Sequence, residues 1–128
     1  MYSSPLQAYE TVNRTTMSGR EIEAAVLTKA ARKLLDCQEN WDAADRNEKL
    51  NAALKFNQLV WSIFQGELAK EDNPLGRQLR VNLLQLSAFV DRRIFETMAD
   101  ASPEKLTLII NINNNIAAGL RTTPTDGQ

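Results

Sequence analysis

The sequence predicts an all-α fold, a single compact bundle of about five helices around a central hydrophobic helix. Three observations lead there. Leu50, Leu54, Asn57, Trp61, Phe64 and Leu68 recur at alternating steps of four and three, which places them on one helical face. Phe56, Leu59, Val60 and Ile63 add a second apolar face, so this helix should be surrounded by others. The flanking segments, Ile22 to Trp41 and Leu75 to Ile94, repeat the helical period, and no segment carries a convincing strand pattern. With 128 residues and 43% hydrophobic content, the chain suffices for one core, assigned to residues 1–120, with 121–128 as a disordered polar tail.

In chain order, Ser4-Pro5 is a cap followed by a first helical residue, opening a short helix through Leu6, Tyr9, Val12 and Asn13. So few apolar residues cannot hold a helix alone, and Tyr9 is its anchor on the bundle or on a partner. Ser18-Gly-Arg-Glu21 is a capping box for the next helix, in which Ile22, Val26, Ala30, Leu34, Cys37 and Trp41 form the stripe. The phase breaks between Trp41 and Leu50, where Asp42 or Asp45 should cap the central helix. That helix should fray near Gly66 and stop in the polar run 69–73, after which Asn73-Pro74 starts another. Leu75, Leu79, Leu83, Leu86, Val90 and Ile94 carry the new helix as far as Asp100-Ala-Ser-Pro103.

The final segment, 104–120, is ambiguous by period alone. Leu106, Leu108, Ile110 and Ile112 alternate as in a strand, whereas Leu106, Ile109, Ile112 or Asn113, Ile116 and Leu120 step as in a helix. A lone strand would lack a pairing partner, so a helix is expected, with Gly119-Leu120 as its C-terminal cap.

Composition narrows the function. There is no histidine, and the single Cys37 lies in an apolar stripe, so neither a nucleophile–base pair nor a zinc set can be assembled. The glycines are dispersed, excluding a phosphate loop, and the carboxylates from Asp36 to Glu48 lack calcium-loop spacing. No enzyme activity, cofactor or metal is expected. The 15 basic and 16 acidic residues nearly cancel and give no field that would attract nucleic acid. RNA binding is the weaker alternative and would need Arg77, Arg80, Arg92 and Arg93 on one face. No apolar run is long enough to span a membrane, and no basic start precedes an apolar run, so a soluble, cytoplasmic protein is expected.

Asn57 is the anomaly in the main seam, since an unpaired buried amide costs about 1–3 kcal/mol. It must find a partner inside the fold or outside it. Trp41, beside an acidic turn, suits either the end of the core or a groove that receives another helix.

Several ordered blocks resemble the flagellar biosynthesis regulator FlaF family of alphaproteobacteria. They are Ala8-Tyr9, Thr16 to Glu23, Leu54 with Asn57 and Leu59-Val-Trp61, Leu79-Arg80 through Phe89-Val90, and Leu108-Ile109 through Gly119-Leu120. The chain departs from that pattern at Gly19, where the family commonly has proline, and at Asp91-Arg-Arg93, where it commonly has a histidine. The resemblance implies a cytoplasmic protein that works with the regulator FlbT and binds flagellin before its export through the flagellar type III apparatus. The candidate contact residues are Tyr9, Arg20, Trp41 and Asn57. The oligomeric state stays open, as does a purely adaptor role toward FlbT.

Overall fold

The computed structural model describes residues 19–122. Within them the chain forms four helices, α1 (Gly19–Glu39), α2 (Arg46–Ala69), α3 (Arg77–Ala99) and α4 (Pro103–Thr122). The predicted helix near Tyr9, the capping serine Ser18 and the tail from residue 123 lie outside the described residues.

Neighbouring helices run antiparallel, and long-range bonds mark the ends that meet in two of the pairs. Gln38 at the end of α1 donates to the Pro103 carbonyl and to Thr107 Oγ1 at the start of α4, both at 2.8 Å. Arg80 at the start of α3 donates from Nε to the Leu68 carbonyl at the end of α2, at 3.0 Å. The four helices close a ring in which α1 touches α2 and α4, and α3 touches α2 and α4, with no close backbone approach across either diagonal. Ala24, Ala30 and Ala31, all buried, leave α1 little side-chain bulk, and the α1–α4 seam is the most extensive of the bundle. The α3–α4 seam is the least extensive.

The helix predicted as a central post is therefore a corner of this ring. Leu50, Leu54, Trp61, Phe64 and Leu68 do line the core, with the Trp61 and Phe64 rings edge to face at 5.6 Å. The second apolar face divides: Val60 is buried, Phe56 half-buried, while Leu59 and Ile63 are 57% and 60% exposed.

Three boundaries differ from the sequence expectations. Helix α3 starts at Arg77 rather than at Pro74, because the Asn73 carboxamide accepts from the Leu75 amide and donates to the Glu67 carbonyl, holding 73–75 as a turn. Helix α2 passes through Gly66 without the expected fraying, although it ends at Ala69, in the polar run where its stop was expected. Helix α4 passes through Gly119 to Thr122, whose hydroxyl donates to the Ala118 carbonyl at 3.1 Å. The Ser102-Pro103 start of α4 is as expected. Asp45 precedes α2 as its cap position but makes no capping bond, and instead pairs with Lys49 at 3.3 Å.

Candidate functional site

Asn57 and Asn113, both fully buried, form a polar relay in the core. Asn57 Nδ2 donates to the Ala53 carbonyl one turn back, at 2.9 Å, and to the Ala30 carbonyl of α1, at 3.1 Å. Its Oδ1 accepts from Asn113 Nδ2 at 2.7 Å, and Asn113 Oδ1 accepts from Trp61 Nε1 at 2.9 Å. Three helices are tied by these bonds, including the diagonal pair α2 and α4. Asn57 has internal partners at both ends of its amide and none of its surface reaches solvent, so it is withdrawn from the candidate contact residues. Asn113, which resolves the Asn57 anomaly, was one of two alternatives for its place in the α4 stripe; two amides at core-facing positions are the signal that would have paired them.

Trp41 sits half-buried in the α1–α2 turn, against the core. The Arg46 guanidinium lies over its ring at 4.0 Å, so the indole closes the end of the bundle with a cation on its outer face. Near this turn is an open pocket of about 490 Å³ lined by Lys33, Asp36, Cys37, Asn40, Arg46 and Lys49, among others. Its charges are of both signs, which gives no preference for a cation or an anion. Burial, and next the nearby Asp36 carboxylate, push the Cys37 thiol above its ordinary pKa.

Arg20 lies in the first turn of α1, half-buried, and its charge acts on Glu23. Tyr9 lies outside the described residues. Among the described residues the structure does not gather Arg20, Trp41 and Asn57 into one site. Nor do the four arginines share a face: Arg80 is turned to the α2 carbonyl end and Arg93 pairs with Glu96 at 3.3 Å. At 3.6 residues per turn these two point roughly 140° apart on α3.

The surface feature that sequence reasoning missed is apolar. Ala30 is level with Asn57 across the antiparallel α1–α2 pair, so Val26 and Ile22, one and two turns back on α1, are level with the second half of α2. Val26, 36% exposed, thus joins Leu59 and Ile63 in one strip on the outer side of this seam, with Ile22 and Phe56 half-buried along it. Lys29 and Lys33 place their ammonium groups 5.6 and 5.1 Å from the Phe56 ring centre and border the strip. All these positions have helical spacing appropriate to a core, so period alone could not show that they face outward.

Among the described residues no helix is long and apolar enough to cross a membrane. Comparison with curated proteins and with solved structures gives no match. The family model of the flagellar protein FlaF matches residues 5–120, nearly the whole chain. The chain, helical throughout its described core, belongs to the FlaF family of flagellar proteins.

Proposed function

We propose that the protein binds flagellin in the cytoplasm as a type III export chaperone and thereby supports flagellin synthesis and secretion. The observation that carries this reading is the outward apolar strip of Val26, Leu59 and Ile63 on a member of a flagellar family. A chaperone of this kind needs a surface that shields an amphipathic segment of its client, and no bond-breaking chemistry. The strip suits a helix laid along the α1–α2 seam, with its apolar side on Leu59 and Ile63.

Calorimetric titration with monomeric flagellin tests this directly. Binding is expected for full-length flagellin and should disappear when one terminal helical segment is removed, with little change between low and high salt. No heat of binding to full-length flagellin overturns the proposal and directs attention to FlbT as the partner. Binding that collapses with salt would contradict an apolar seam.

A further inference from the structure

A second apolar surface, distinct from the one assigned to flagellin, opens on the opposite side of the bundle. On α3, Arg80 and Asp91 face α2, through the Leu68 carbonyl and Gln65 respectively. Leu79, Leu86 and Phe89 therefore lie toward α4, yet Leu79 and Phe89 are 42% and 38% exposed, and Leu86 is only half-buried. On α4, Thr107 faces α1, which turns the half-buried Ile112 and Ile116 toward α3. The two helices are joined by the short connection 100–102, and their seam is the least extensive of the bundle. The end of the seam remote from that connection is level with the start of α1, because α1 runs antiparallel to α4.

We propose that the chain's own residues 1–18 cover this seam, with Leu6, Tyr9 and Val12 set against Leu79, Leu86 and Ile116. Several observations carry the assignment. The segment enters α1 at Gly19, at the open end of the seam. Helix axes in contact are about 8–10 Å apart, so a link of three or four extended residues at about 3.3 Å each reaches from α1 past the end of α4. The footprint also matches. At about 1.5 Å rise per residue, the helix that the sequence predicts would span about 9 Å from Leu6 to Val12, and Leu79 to Leu86 spans about 10 Å.

Charge agrees as well. Glu10 and Arg14 are the only charged side chains of residues 1–18, and they cancel. This part of the seam is bordered by the amides of Gln78 and Asn82, bonded to each other at 3.0 Å, with exposed Asn115 on α4. The α1–α2 strip, by contrast, is flanked by Lys29 and Lys33. Finally, the family model begins at residue 5, so the stretch containing Leu6, Tyr9 and Val12 belongs to the unit that defines the family. Deeper in the seam the buried Nε of Arg93 has no acceptor among the described residues.

The test uses the full chain with Cys37→Ala and Asn13→Cys, a nitroxide on the new thiol, and methyl resonances as the readout. Leu79, Leu86 and Ile116 should broaden several-fold more than Leu59 and Ile63. Broadening should be absent when spin-labelled protein without isotopes is mixed with isotope-labelled protein lacking the spin label, since the contact is within one chain. Tyr9→Ser should relieve it while the Leu34 and Ile94 methyls keep their positions; if those core methyls move, Val12→Ser replaces it. Broadening centred on Leu59 and Ile63, broadening only in the mixed sample, or none above the rest of the bundle would overturn the proposal. Flagellin takes no part in this experiment, so it stands or falls apart from the chaperone reading.

Discussion

Asn57 and Asn113 do at the residue scale what an apolar pair could not, because each amide has donors and acceptors aimed at a specific helix. Asn113→Ala leaves the Trp61 indole N–H and Asn57 Oδ1 buried without partners, and should cost about 1–3 kcal/mol for each orphan. Urea unfolding, read as a lower midpoint, checks this. Glu23 offers a prediction about pH. Burial raises its pKa, repulsion from Glu67 adds to this, and Arg20 offsets part of it. The folded state then holds the proton to higher pH than the unfolded chain, so this residue's contribution falls as pH rises from the ordinary carboxylate pKa through the folded value. Glu23→Gln should therefore melt higher than the parent at pH 7, and the difference should shrink on acidification to the ordinary carboxylate pKa. Equal melting temperatures at pH 7 would contradict it.

The elements were largely legible because the first three described helices each carry a helical stripe, while the last, ambiguous by period, was assigned from the lack of a strand partner and from its Ser102-Pro103 start. The misplaced boundaries share a cause. Asn73 bonds to backbone on both sides and holds a turn that Pro74 alone would not announce, while Gly66 and Gly119 remain inside helices whose Phe64, Leu68, Ala117 and Leu120 are buried. Packing outweighs the propensity cost of about 1 kcal/mol per glycine. The two faces of α2 should respond very differently to mutation. Phe64→Ala should cost about 3–5 kcal/mol as a core truncation. Leu59→Ser with Ile63→Ser should change stability by no more than about 1 kcal/mol, since each site is more than half exposed. Chemical unfolding of the two variants separates these outcomes.

For the whole molecule, helical class and element order followed from periodicity, but the ring arrangement did not. A stripe states which residues are apolar and leaves open which neighbour, if any, covers them, so Leu59 and Ile63 read as core until the corner position of α2 exposed them. The candidate site was legible only in part for the same reason. Asn57 stood out as a polar residue in an apolar seam, and its explanation was an amide 56 residues away on α4. Trp41, for which the sequence left the end of the core and a groove equally open, lies at a bundle end with Arg46 over it. The outcome is a bundle with an internally satisfied amide relay and two apolar strips on separate seams.

On the proposed function, the α1–α2 strip is where flagellin is held. Parallel calorimetric titrations of monomeric flagellin with the parent protein and with the Leu59→Ser, Ile63→Ser variant test it most directly. Removing most of two exposed apolar side chains from a buried contact should weaken binding by about 2–4 kcal/mol while the variant's melting curve stays close to the parent's. Equal affinity for parent and variant would contradict the assignment of flagellin to this seam.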